Sequence, residues 1–131
     1  MTVLQGSCVC GGICFEISGP LEGIQKCHCS ICRKASGTDS IATILVSADQ
    51  LKWISGEDLI RTFERPSGYG TAFCSVCGSP APDANAKRTR YGIPAGLIDG
   101  DPPLRVTGHI FVGSKASWDS IADDAPSFDT M

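Results

Sequence analysis

The 131-residue sequence predicts a small, mainly β domain built around bound metal, with a few short helical turns. Three observations lead there. Short runs rich in β-branched and aromatic residues recur between glycine, proline and serine punctuation. A continuous helical period is hard to find. Seven of the eight cysteines fall into three tight clusters, Cys8-x-Cys10, Cys27-x-Cys29-x-x-Cys32 and Cys74-x-x-Cys77.

In chain order the expected strands are 13–17 (ICFEI), 41–46 (IATILV), 51–54 (LKWI), 59–63 (LIRTF), 69–73 (YGTAF), 91–98 (YGIPAGLI) and 109–112 (HIFV). Each is four to eight residues long and rich in residues that suit a pleated, half-buried surface. Fifteen glycines and eight prolines supply the turns of a meander or folded sheet. Residues 30–36 and 117–122 each suit a helical turn or two, the second with Asp119 in its first turn. Residues 79–90, polar and proline-bearing, read as a surface loop beside Cys77. From Ala122 onward the chain is acidic and proline-interrupted, as a loosely packed tail would be.

Length and composition suit one domain, 1–131, burying roughly two thirds of its unfolded surface. Net charge is −3 and pI about 5.2, so no basic field draws the chain to nucleic acid. No apolar run approaches the roughly 20 residues that span a bilayer. The start, Met-Thr-Val-Leu-Gln-Gly-Ser, lacks a basic region followed by an apolar one, so a cytoplasmic location is expected and a disulfide framework disfavoured. Exposed strand edges leave room for a homodimer.

The cysteines divide into four and three. Period 2 puts Cys8 and Cys10 on one side of an extended segment, and Gly11 and Gly12 follow without side chains to obstruct a tight turn. Cys74-Ser-Val-Cys77-Gly78 has the form of a zinc knuckle. Together the two half-sites offer four thiolates, a closed tetrahedral zinc shell that joins points about 65 residues apart. Cys14 keeps the same period but lies roughly 13 Å past Cys10 at strand rise, too far for that ion, and reads as a small packing residue.

Cys27, Cys29 and Cys32 can cap one face of a second tetrahedron. Three protein ligands leave a position for water or substrate. His28, between two ligands on an extended segment, should point away from the metal, and His109 reads as a packed or hydrogen-bonded residue. A thiolate-rich site favours a soft ligand, and a coordinated thiol is deprotonated at neutral pH. Such a site readily presents a nucleophilic thiolate. Arg33, Lys34 and, in the 79–90 loop, Arg88 could hold carboxylates of the incoming molecule. Two alternatives use the same residues: a non-catalytic zinc module that binds a protein, and a redox enzyme using Cys29 and Cys32 as a dithiol pair.

The ordered set Gly-Ser-Cys8-Val-Cys10-Gly-Gly, Cys27-His-Cys-Ser-Ile-Cys-Arg-Lys-Ala-Ser-Gly37, Phe73-Cys-Ser-Val-Cys-Gly-Ser79 and His109-Ile-Phe-Val-Gly-Ser-Lys-Ala-Ser-Trp118 resembles the glutathione-dependent formaldehyde-activating enzyme family, which includes centromere protein V. The resemblance implies a tent-like β fold. It also implies two zinc ions, a structural one at Cys8, Cys10, Cys74 and Cys77 and a catalytic one at Cys27, Cys29 and Cys32. The activity implied is that of a carbon–sulfur lyase acting on S-hydroxymethylglutathione, the adduct of glutathione and formaldehyde. Trp118 and residues 109–115 fall in the matching set and read as packing and framework.

Overall fold

The computed structural model describes residues 3–65 and 70–131. Its strands are β1 (Val3–Ser7), β2 (Cys14–Ser18), β3 (Ile24–Cys27), β4 (Ile41–Ser47), β5 (Leu51–Ser55), β6 (Ile60–Glu64), β7 (Gly70–Cys74), β8 (Asp83–Ala84), β9 (Arg90–Pro94) and β10 (Val106–Ile110), with one α-helix, α1 (Ser30–Ser36). They form a three-stranded sheet in the order β1-β2-β5, a five-stranded sheet in the order β10-β3-β4-β9-β8, and the hairpin β6-β7. All pairings are antiparallel except β10 with β3. The mainly β class expected from the sequence is the class observed.

The core is built by alternation. In β2, Phe15 and Ile17 are buried while Cys14, Glu16 and Ser18 are not. In β4, Ile44 and Val46 are buried and Leu45 between them is exposed. With Ile13, Ile93 and Ile98 these side chains fill the space between the sheets, each contributing about 1.5–3 kcal/mol by leaving water. Trp53 and Tyr91 extend the cluster, their rings meeting edge to face at 6.3 Å.

The same alternation gives the five-stranded sheet a second face. Cys27 lies opposite Ile41, Gln25 opposite Thr43, and Leu45 opposite Gly92, which in turn faces Asp83. Directly opposed residues project to one side of a sheet. Cys27 and Asp83 therefore share the face turned away from Ile44, Val46 and Ile93.

Several sequence expectations need correction. Residues 117–122 form a turn and no helix; a 3-10 turn occurs earlier, at Val112–Ser114. Residues 79–90 are more than a surface loop: Ser79, Ala81 and Pro82 are buried, and β8 adds an edge to the sheet. The C-terminal segment is not loose. Its carbonyls at Pro126, Phe128 and Thr130 accept hydrogen bonds from His109, Val112 and Phe111, so a segment with few apolar residues is held by its backbone. Trp118 is 71% exposed, not packed. β1 and β3 were not foreseen, and Tyr69 of the expected 69–73 strand lies outside the described residues.

Candidate metal centres and their surroundings

Cys8, Cys10, Cys74 and Cys77 converge, all four sulfurs lying within 4.8 Å of one another. A tetrahedral zinc with Zn–S near 2.3 Å needs sulfurs about 3.8 Å apart. Cys8 Sγ and Cys10 Sγ are 3.5 Å apart, and Cys10 Sγ and Cys74 Sγ 3.9 Å. The donor set fits the ion. Backbone N–H groups already face these sulfurs: Ile13 donates to Cys8 Sγ at 3.3 Å and Val76 to Cys74 Sγ at 3.4 Å. Such donors offset the charge that four thiolates gather.

Local sequence explains the convergence. Gly78 takes φ +78°, a conformation that side chains disfavour, and its N–H closes the knuckle on the Cys74 carbonyl at 2.8 Å. Ser79, missed at the sequence level, donates to and accepts from this corner: its hydroxyl accepts from Val9 N–H and lies 3.2 Å from Cys77 Sγ. The Ser79 hydroxyl and N–H hold the Cys77 thiol down at about 5. Cys14 stands outside the cluster, its thiol donating to the Gly11 carbonyl at 3.3 Å.

The second cluster is Cys27, Cys29 and Cys32, half-buried, with their sulfurs also within 4.8 Å of one another. Among the described residues no further Cys, His, Asp or Glu side chain joins it. Cys27 ends β3, and α1 begins immediately after. Cys29 is the helix N-cap, with Sγ accepting from Cys32 N–H at 3.3 Å, so sulfur takes the place usually held by a serine or aspartate oxygen. The i, i+3 spacing then lays Cys32 beside Cys29. The Cys32 thiol donates to Cys27, which lowers Cys27 to about 6 and pushes Cys32 far up.

Arg65 is a second residue that the sequence reading missed. It follows β6, and its guanidinium donates to the Gly70 carbonyl at 3.2 Å. Its positive field adds a small lowering influence at Cys27, after the Cys32 thiol, and partly opposes the rise that burial imposes on Asp83. Asp83, with burial pushing its carboxyl up, approaches Gly70 from the sheet edge, a Cβ at Gly70 falling 3.4 Å from Asp83 Oδ1. Nothing local in the sequence ties Arg65 to a CxC motif dozens of residues earlier; only the packing of the hairpin does.

The basic candidates lie as follows. Arg33 donates to the Ser114 carbonyl at 3.2 Å, docking α1 on the 112–114 turn. Lys34 is exposed on α1, and Arg88 is exposed in the turn before β9 with φ +56°. His28 is fully buried and points away from the cysteines, to the opposite face of the CxC segment, where it meets His109. His109 is packed and hydrogen-bonded, as expected.

With this arrangement in view, comparison with known proteins decides the family. A profile of the family described as glutathione-dependent formaldehyde-activating enzyme matches residues 3–114. The chain belongs to that family. A Halomonas elongata protein bearing the same family name is 30% identical over 126 residues, covering 88% of this chain and 79% of its own length. A Rhodobacter sphaeroides protein of known crystal structure superposes with a TM-score of 0.62 at 19% identity, over 76% of this chain and 91% of that one. That likeness concerns the fold. As a member of the glutathione-dependent formaldehyde-activating enzyme family, the chain carries two cysteine clusters that can hold metal ions. Among its described residues no helix is long and apolar enough to cross a membrane.

Proposed function

We propose that the chain is a zinc-dependent carbon–sulfur lyase that joins formaldehyde to a thiol such as glutathione, and separates them again, at Cys27, Cys29 and Cys32. The observation that most supports this reading is the inequality of the clusters: four convergent sulfurs in one, and three in the other with no further donor side chain among the described residues. On this reading Cys8, Cys10, Cys74 and Cys77 fasten the fold. Family membership supports glutathione and formaldehyde as the substrate class.

Zinc held by the three cysteines would supply a soft position at which an incoming thiol is anionic at neutral pH. The substrate sulfur attacks the formaldehyde carbon, and the carbonyl π pair moves to oxygen, which takes up a proton. In the reverse direction the C–S bond breaks and its electron pair returns to sulfur. The Arg65 field, which favours a thiolate at Cys27, also favours the negative charge that passes from sulfur to oxygen. Arg33, Lys34 and Arg88 are the proposed partners for glutathione carboxylates. A glutathione-linked role implies a reducing, cytoplasmic compartment, where eight free thiols persist.

The test is carbon-13 formaldehyde exchange with several thiols, followed by NMR in the presence of zinc-loaded protein. Exchange should accelerate with glutathione or a related thiol and fall to background in Cys29→Ser while that variant stays folded. Absence of acceleration with every thiol would refute the lyase reading.

A further inference from the structure

Behind the three-cysteine cluster lies a chain of hydrogen bonds that the proposed chemistry does not use. His28 Nε2 is 2.8 Å from His109 Nδ1, and His109 Nε2 is 2.8 Å from Asp123 Oδ1. Both rings are buried, at 0% and 1% exposure. Asp123 is further fixed by the Ala125 N–H, 3.0 Å from the same oxygen. The backbone reinforces the connection, with His28 N–H donating to Ile110 and His109 N–H to Pro126.

The order of donors follows from chemistry. A carboxylate only accepts, so His109 carries its proton on Nε2 and, as a neutral ring, accepts at Nδ1. His28 must then donate from Nε2. Its Nδ1 is left with a lone pair, has no hydrogen-bond partner, and lies 3.9 Å from Asp119 Oδ2. Hydrogen bonding to His109 holds the Asp123 carboxyl below its ordinary range, which keeps it ionised and the order fixed.

The position of His28 gives this relay a purpose. The chain runs on from β3 in extended form through His28 to the helix N-cap Cys29, so Cys27 and Cys29 project to one face and His28 to the other. Rotating the segment about its axis moves the histidine ring and both sulfurs together. Anchoring the ring therefore sets the direction in which two of the three sulfurs point.

We propose that Asp123, acting through His109 and His28, is a positioning residue for the three-cysteine site: the C-terminal segment orients the CxC sulfurs from behind. The inference rests on the reading of that cluster as a zinc site. Groups that orient ligands from outside the coordination shell typically govern about 10–100-fold of metal affinity. Here Asp123 acts through two intervening residues, so the low end, about tenfold, is expected.

Zinc-loaded full-length protein serves for the test, with each ion's affinity measured by chelator competition. Asp123→Ala should weaken the second ion about tenfold and leave the first unchanged, and Asp123→Asn, which keeps an acceptor oxygen for His109, should restore most of the loss. Long-range proton–nitrogen NMR of the parent protein should show both imidazoles protonated on Nε2. Unchanged affinity in Asp123→Ala, equal weakening of both ions, or a His28 ring protonated on Nδ1 would each overturn the proposal; the NMR result decides even if a variant fails to fold. A parent protein that binds only one ion would instead sink the zinc reading on which the proposal rests, and the two failures are told apart by stoichiometry measured before any substitution.

Discussion

Replacing Cys74 with serine should unfold this protein, whereas replacing Cys27 should not. Cys74 is 1% exposed, and with Cys10 it bridges 64 residues of chain. A cross-link closing a loop of that length removes about 4 kcal/mol of unfolded-state freedom. Structural zinc in small peptides binds with about 10–16 kcal/mol of apparent free energy, against about 5–15 kcal/mol of net stability for a whole domain. With these cysteines read as zinc ligands, the loss of one of four, from a cluster whose Cys8 and Cys74 belong to the same buried core as Ala72 and Ile98, therefore removes a quantity as large as the fold can spare. The cysteines at 27, 29 and 32 lie within one turn and the strand end before it, so they close no long loop. Urea titration followed by fluorescence of Trp53, whose ring contacts Phe15 and Tyr91, together with metal counting, distinguishes the two cases. Cys74→Ser should show no folded baseline at room temperature and Cys27→Ser a midpoint near that of the parent. A Cys74→Ser protein with a parental midpoint would refute the reasoning, as would global unfolding of Cys27→Ser.

Four further outcomes follow. Cys14→Ala should keep both ions, because its thiol lies outside the cluster and donates to a carbonyl; loss of an ion on metal analysis would contradict this. In protein from which only the second ion has been removed, the Cys27 thiol, lowered to about 6, should make alkylation at that residue rise through pH 6 and level off above it, and fall away as acid restores the thiol; a profile rising only above pH 8, read by mass spectrometry, would contradict the lowered Cys27. Gly56→Ala should lower the urea midpoint by the equivalent of about 1–3 kcal/mol, since φ is +81° and the new Cβ would fall 2.1 Å from the Gly12 carbonyl oxygen; an unchanged midpoint would show that the two turns can separate freely. Arg65→Gln should raise KM for an anionic thiol several-fold and displace the Cys27 alkylation midpoint upward; parental values for both would remove Arg65 from the site.

The parts of this architecture legible in the sequence are those set by near neighbours. Cys8 with Cys10, Cys74 with Cys77, and the CxC running into CxxC are cysteine groupings that could hold metal, and the geometry within each is decided within six residues. Alternation likewise revealed β2, β4 and β5, because Phe15 and Ile17, or Ile44 and Val46, must share a face to be buried. β3 (IQKC) escaped notice because it offers one β-branched residue and draws its order from strands on both sides. β1 was hidden by Gly6, whose missing side chain leaves room for the Phe15 ring. Long-range relations left no local trace at all: the field of Arg65 at Cys27 and the hydrogen bond of Asp123 to His109 exist only through the tertiary fold. The helix expected at 117–122 has a plausible cap and apolar residues at Trp118, Ile121 and Ala122, but none of the three is buried and Trp118 stands in solvent.

One sulfur in this molecule has two occupations. Cys29 Sγ both faces its fellow thiols and receives the N–H that starts α1. Peroxide that converted this thiol to a sulfinic acid would strip a soft donor from the trio and place a bulky anion where the first turn is stitched, disturbing ligation and helix in a single event. Oxidative damage at Cys29 should consequently be read out at Arg33 and Ser114 as well, since the helix that carries Arg33 is the one docked on that turn.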